Sequence, residues 1–286
     1  MRSPFDYNLF GGCRGIFMDA KPARLMITKS NTLVTAAYRL TLSEQRLILA
    51  AICKLDPRKP MPTSVNVLAA DYSAIYGVPI SRCYEQMKEA ADHLYERDIK
   101  TFDKKGMERK RWVDKARYAC GEGRVEICFT VHVMPYLSIL HSKVTSYDLH
   151  RVARLETVHA FRLFEMLMQF RATGWAYFEV DTLRMTLGLS DAYQRFNNFR
   201  QRVIDPSVAE LRHKSHLAIE YELIKDGRNV IALRFTFADL DKRALVRQGE
   251  EQQKCPGFEL EESPADAWLL RNPASPKSQP GQPQPT

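Results

Sequence analysis

Much of the usual equipment for chemistry is missing from this 286-residue chain. Its six cysteines, Cys13, Cys53, Cys83, Cys120, Cys128 and Cys255, form no CxxC pair and match no zinc spacing. A chain this long folds without disulfides, so reduced thiols and a cytoplasmic protein are expected. No run approaches ~18 apolar residues, which predicts no membrane span. "GGCRGIF" near the N-terminus lacks the apolar core of a signal peptide. There is no G-x-x-x-x-G-K-[ST] loop to cradle a nucleotide, so NTP hydrolysis is not expected. The seven histidines are scattered. His213 and His216 have no evident third ligand and read as surface residues; neither a metal nor a cofactor is expected. A nuclease that nicks DNA through a tyrosine needs a close histidine pair to hold its metal. Tyr72 and Tyr76 have a suggestive spacing without that pair, so both read as core or groove aromatics.

Positive charge is what the chain does have. The formal net charge is +8. Residues 241–286 hold six Lys/Arg against seven Asp/Glu, so residues 1–240 carry +9. Such an excess favours a polyanionic partner. Seven of the fifteen prolines follow residue 255, in runs such as "NPASPKSQPGQPQPT". That composition predicts a disordered Pro-rich tail over 241–286. Residues 1–24 are expected to be a flexible extension.

Between these ends one plan is read twice. Thr41 and Glu44 have capping-box spacing ahead of a helix bearing Leu47, Ile48, Ala51, Ile52 and Leu55 on one face, stopped by Asp56-Pro57. "VNVLAADYSAIYGV" reads as a short helix ended by Gly77. "SRCYEQMKEAADHLYERD" follows as a second helix, N-capped by Ser81, with Tyr84, Met87, Ala91 and Leu94 inward. Residues 97–102, 111–119 and 124–133 read as strands, with "DKKGMERKR" as a basic hairpin loop. Residues 155–172 are apolar on more than one side, which suits a helix packed between two bodies. Then "AYFEVD" is a strand and "TLRMTLGL" a short helix ended by Gly188. A second helix, "RFNNFRQRVIDPSVAEL", comes next, and "LAIEYELIKDGRNVIALRFTF" is a hairpin turning at "KDGRN". Helix, turn, helix and hairpin is the winged-helix plan. Leu33, Leu40 and Leu47 are spaced by seven, but too few heptads follow for a zipper, so they read as core.

The second helix of the C-terminal copy carries the sharpest signal. Phe196, Phe199 and Val203 make an apolar stripe. Arg195, Asn198, Gln201 and Arg202 cluster on the other side, and no acid occurs between Asp191 and Asp205. Arg pairs bidentately with guanine, and Asn or Gln with adenine, when such a helix enters the major groove. A solvated polar face is the bland alternative. Pro206 fits badly inside a helix, so either Asp205 caps a new helix or the helix kinks there. Lys225 and Arg228 at one hairpin tip suit phosphate contacts, as do Lys104, Lys105, Arg109, Lys110 and Arg111 at the other.

"ITKSNTLVTAAYRLTLSEQRLILAAICKLD" (27–56) resembles the opening of the iteron-binding replication initiator (Rep) proteins of theta-replicating bacterial plasmids. "FRQRVIDPSVAEL" (199–211) resembles their C-terminal recognition-helix block. The resemblance covers about residues 25–240. It implies an α+β fold of two tandem winged-helix domains, here 25–150 (dimerisation and backbone contacts) and 151–240 (iteron recognition). It implies a non-enzymatic, sequence-specific initiator that binds origin iterons as a monomer, helps open the origin, and represses its own gene as a dimer on an inverted repeat. The implied partners are double-stranded DNA, the host DnaA, the replicative helicase and DnaK/DnaJ-type chaperones. Arg195, Asn198, Gln201 and Arg202 would read bases. Gln194, Asn197, Arg200, Lys225, Arg228, the five cations at 104–111 and, on the first copy's second helix, Arg82 and Lys88 would touch backbone. A dedicated winged-helix repressor and a rolling-circle nicking endonuclease stand as alternatives.

Overall fold

Capping and alternation account for most of the local structure. The computed structural model describes residues 25–103, 106–119, 122–138 and 143–240; the expectations for 1–24, 241–286, Lys104 and Lys105 lie outside them. Strand β1 (Met26–Ser30) ends at Ser30, whose hydroxyl accepts from the Leu33 amide at 3.2 Å and caps the short helix α1 (Asn31–Thr35). Thr41 opens α2 (Leu42–Ile52) with the expected capping box. Its hydroxyl accepts from the Glu44 amide at 3.3 Å, and the Glu44 carboxylate accepts from the Thr41 amide at 2.9 Å. A cap of this kind stabilises by about 1 kcal/mol. Glu44 also accepts two hydrogen bonds from Arg97, at 2.9 and 3.0 Å, and so ties a distant segment to this helix start. Leu33, Leu40 and Leu47 are all buried in this core, not along a seam.

The N-terminal half continues with β2 (Val65–Leu68), α3 (Ala69–Tyr76) and α4 (Ile80–Tyr95). Next come a hairpin of β3 (Asp98–Asp103) with β4 (Gly106–Arg111), and a second of β5 (Val113–Ala119) with β6 (Arg124–Phe129). Strand β7 (Val144–Asp148) returns to pair with β1, and α5 (His150–Ala153) follows. The C-terminal half runs α6 (Val158–Met168), β8 (Trp175–Glu179), α7 (Val180–Thr186), α8 (Phe196–Phe199), α9 (Asp205–Lys214), β9 (Leu217–Asp226) and β10 (Asn229–Asp239). The two three-stranded sheets have orders β2-β6-β5 and β8-β10-β9. In each, the first strand lies beside the last and the middle strand takes the far edge. Helix, strand, helix, helix and wing therefore occur twice, so the fold is two tandem winged helices. Gly77 and Gly188 hold matching places, with φ of +67° and +70°. Only glycine reaches that region without strain.

Local structure departs from expectation at several points. Residues 65–68 are a strand, because Val65 and Val67 alternate inward against β6 before any helical turn begins. Helix α4 starts at Ile80 after Pro79, one residue ahead of the proposed Ser81 cap. The last strand of the first wing stops at Phe129: the amides of Val133 and Met134 turn back to the Thr130 carbonyl, which leaves Val131 67% exposed. Most of "DKKGMERKR" is strand β4, paired from Arg111↔Asp98 to Gly106↔Asp103. The N-terminal wing is consequently β5–β6, and β3–β4 is an insertion ahead of it.

Helix α6 is the body between the two halves. Every residue from Ala160 to Met168 is buried. Its Phe161, Leu163, Phe164 and Leu167 each contribute about 1.5–3 kcal/mol of apolar burial. Arg162, 1% exposed, donates to the carbonyls of Ala36 (2.8 Å) and Val34 (3.0 Å) on the N-terminal side and of Thr186 (3.3 Å) on the C-terminal side. It also donates to the Tyr38 hydroxyl and stacks over that ring, 3.8 Å from its centroid. A Cβ on Gly188 would lie 2.7 Å from the Tyr38 carbonyl oxygen, so the turn of the C-terminal domain sits directly on this segment.

Candidate nucleic-acid interface

The chain is helical without interruption from Phe196 to Lys214, with Arg195 in extended conformation at its N-cap and no new cap at Asp205; at Pro206 the helix widens instead of ending. Asp205 has helical φ and ψ, and its amide bonds the Arg200 carbonyl five residues back. One turn of π-helix, Arg200–Ile204, lies between α8 and α9. Pro206 explains it. The ring has no N–H and would clash with the Arg202 carbonyl in a regular turn, and the wider turn relieves both problems.

Phe199 and Val203 are 0% and 1% exposed, and Phe196 is half-buried, so the apolar stripe anchors the helix as expected. Arg195, Asn197, Asn198, Gln201 and Arg202 are all exposed. Among the described residues none of these five side chains makes an intramolecular hydrogen bond or ion pair. Gln194 donates to the Ser190 carbonyl at 3.0 Å. Arg200 turns aside and pairs with Asp205 at 3.3 Å, and Asp205 also accepts from the Tyr221 hydroxyl. The acid that ends the acid-free stretch is thus occupied within the domain. Burial, with the Asp205 hydrogen bond, pushes the Tyr221 hydroxyl up to about 12.

Arg184 of α7 sets the start of this helix. Its side chain is 10% exposed, pairs with Asp181 at 2.9 Å, donates to the Gln194 carbonyl at 3.5 Å and stacks 5.3 Å from the Phe199 ring centroid. Gln194 and Phe196 line one groove with Asn229, Val230 and Ile231, so the helix start and the tip end of β10 face the same side. At the wing tip Gly227, φ +57°, carries the two-residue turn, and Lys225 and Arg228 are exposed around it.

The N-terminal copy is different. Arg82 and Lys88 are exposed on α4, but so are Glu85, Glu89 and Asp92. Lys88 lies 5.9 Å from the Tyr118 ring centroid. Arg109 pairs with Asp98, Lys110 with Glu108, and Arg111 with Glu96 at 2.8 Å. These three cations lie along β4 rather than at a wing tip, and each is matched by an acid. Tyr72 is fully buried and packs against Tyr76 with centroids 4.9 Å apart, while the Tyr76 hydroxyl donates to the Arg46 carbonyl. Burial pushes the Tyr72 hydroxyl up to about 12 and raises the Tyr76 hydroxyl as well, the opposite of an activated nucleophile.

Two helix-turn-helix units with wings, one with an unpartnered basic and amide face, agree with what sequence comparison finds. The description "Initiator Replication protein, WH1" matches residues 26–168, and "Initiator Rep protein, WH2" matches residues 179–237. The chain belongs to the initiator replication protein family. The resemblance read from residues 27–56 and 199–211 is therefore borne out. This initiator is 23% identical over 238 residues to the "Uncharacterized 27.6 kDa protein" of Escherichia coli, covering 78% of this chain and 97% of that one. The crystal structure of the Pi initiator protein in complex with iteron DNA shares its fold, with a TM-score of 0.65 and 20% identity over 75% of this chain and 97% of that one. Among the described residues no helix of the initiator is long and apolar enough to cross a membrane.

Sequence reasoning did not single out Arg162 or Arg184. A signal for Arg162 existed: it is the one basic residue in the apolar "VHAFRLFEMLM" of α6 apart from His159. A charge inside such a helix is buried only with partners.

Proposed function

We propose that this initiator binds directly repeated origin sites, iterons, through its C-terminal winged helix, and that it acts without catalysing covalent chemistry. The observation that carries the reading is the exposed face of Arg195, Asn198, Gln201 and Arg202, free of acids and of intramolecular partners. These side chains would meet base edges. Gln194, Asn197 and the wing cations Lys225 and Arg228 would meet phosphates. Arg200, Arg82, Lys88 and the β4 cations would contribute weaker backbone contacts, because each competes with a nearby acid. The Pi initiator, whose fold this is, was crystallised with iteron DNA. The family reading extends to binding as a monomer, opening of the adjacent duplex, recruitment of DnaA and the replicative helicase, chaperone-assisted release from dimers, and autorepression as a dimer on an operator inverted repeat.

The test is fluorescence anisotropy at fixed salt with the full chain, comparing repeats flanking its own gene with scrambled duplex. Specific binding is expected, and Arg195→Ala and Gln201→Ala should each cost ~1–3 kcal/mol on the cognate site and relax discrimination there. Equal, steeply salt-dependent binding to both duplexes would leave the basic charge as a non-specific handle and refute the reading. Permanganate reactivity on a supercoiled plasmid carrying the repeats separates an initiator from a plain repressor. A covalent DNA adduct with Mg²⁺ would establish a nickase.

A further inference from the structure

Each winged helix packs its helices on one face of its sheet and leaves the other face open. In the C-terminal sheet Leu217, Ile219, Leu233 and Phe235 point inward, on the side where α9 packs on β9 and α7 on β10. The outward row includes Trp175 (47% exposed) and Tyr177 (45%), two residues apart on β8. Glu179, Glu220 and Glu222 share that face, with Arg234 as its one cation. Three acids against one cation give a net −2. Arg234 already stacks 5.2 Å from the Trp175 ring centroid, so the ring accepts a guanidinium.

The matching face of the N-terminal sheet has the opposite character. Val125 and Ile127 point inward, so Lys115, Arg117 and Arg124 point outward; Arg124 is held by Glu122 at 2.5 Å, Glu126 and Asp114 at the β-bulge lie nearby, and the cations left free are Lys115 and Arg117. Lys115 and Arg117 are exposed and have no partner among the described residues. They too are two residues apart on one strand, the same ~7 Å spacing as Trp175 and Tyr177. Leu68, 40% exposed, adds an apolar contact.

We propose that these two faces dock on each other between copies, the basic outer sheet face of one chain on the acidic, aromatic outer sheet face of the next. Both faces are exposed within one molecule, and a second copy offers to each the face of opposite character. The contact joins two different surfaces, so successive copies can follow one another head to tail. Such a contact fits neighbouring copies on directly repeated sites, a consequence that rests on the function proposed above. Tyr177 and Glu179 at one edge of this face also line the groove at the start of the reading helix, whereas Glu220 and Glu222 on β9 do not, so the test rests on those two.

The test uses the full chain and duplexes bearing one or two direct repeats of the site that the wild type selects from random-sequence DNA. Wild type is expected to fill the second site about tenfold more tightly than a lone site. Glu220→Lys with Glu222→Lys should abolish that gain, as should Lys115→Glu with Arg117→Glu, each leaving lone-site affinity unchanged. Combining all four reverses both faces and should restore the gain, which a folding defect would not do. Independent filling by the wild type, or a gain that survives either reversal, overturns the proposal. Failure of the wild type to select any site would instead refute the DNA reading. In that case sedimentation at low salt decides without DNA: association that rises with concentration, falls on reversing one face and returns on reversing both supports the contact, and its absence overturns it.

Discussion

Glu165→Gln should be among the most damaging conservative changes in the molecule. Glu165 is fully buried and accepts from the Lys29 ammonium at 2.6 Å, the Tyr147 hydroxyl at 2.6 Å and Arg162 at 3.2 Å. Lys29 is 0% exposed and Arg162 1%. One carboxylate therefore balances two buried cations. Burial alone would raise the Glu165 carboxyl, but Lys29 and Arg162 outweigh it and hold the group below the usual range. Burial pushes the Lys29 amine below its usual range, Glu165 opposes that, and Arg162 adds to it. A neutral amide at 165 leaves both cations unbalanced. Removing one partner of a buried pair costs about 3–5 kcal/mol. With a slope of ~3 kcal/mol/M the urea midpoint would fall by roughly 1–2 M. The variant's penalty should also depend on pH. A lysine whose folded pKa lies below its unfolded value binds its proton more tightly when unfolded, so stability climbs as pH rises toward ~10.4. The deficit against wild type should shrink between neutral pH and that value, and Lys29→Met in the same chain should recover much of it. Urea melts followed by circular dichroism measure all of this. A loss under ~1 kcal/mol, or a deficit independent of pH, would refute the charge-balance argument.

Three further outcomes follow from local geometry. Gly77 and Gly188 share a positive φ, but a Cβ on Gly77 meets nothing within 4 Å while one on Gly188 meets the Tyr38 carbonyl oxygen at 2.7 Å. Gly77→Ala should cost about 1–2 kcal/mol of backbone strain, and Gly188→Ala visibly more in the same melts. Lys225→Ala should weaken binding to all duplexes alike and lower the slope of log affinity against log salt by about one, a pattern that titrations at several salt concentrations would reveal. Arg184→Met keeps the aliphatic part of the side chain but loses the ion pair with Asp181, the bond to the Gln194 carbonyl and the stack on Phe199. It should reduce cognate affinity about tenfold, by ~1.4 kcal/mol, with little change for scrambled DNA.

Local pattern carried a large part of the architecture. The spacing of Thr41 and Glu44, the alternation through 217–237, the stripe at Phe196, Phe199 and Val203, and the equivalence of Gly77 with Gly188 depend on residues close in the chain. Helix and strand periods operate at that range. The exposed amide and basic face at 195–202 was legible for the same reason: one helical repeat sorts it from the buried side. Position in three dimensions had to come from the fold. Whether Arg109 and Arg111 are free depends on Asp98 and Glu96 arriving beside them from the other side of the hairpin, while Lys110 meets Glu108 two residues away on its own strand. Lys29 meets Glu165 across 136 residues, and Arg162 reaches Ala36 and Thr186 in different domains. Strand order, charge pairing and the two complementary outer sheet faces are set by which segments come to lie side by side, and spacing along the chain does not specify that. What the sequence determined alone was the repeated plan and the face that looks outward. The tertiary structure decided which of its many cations are left free to meet a partner.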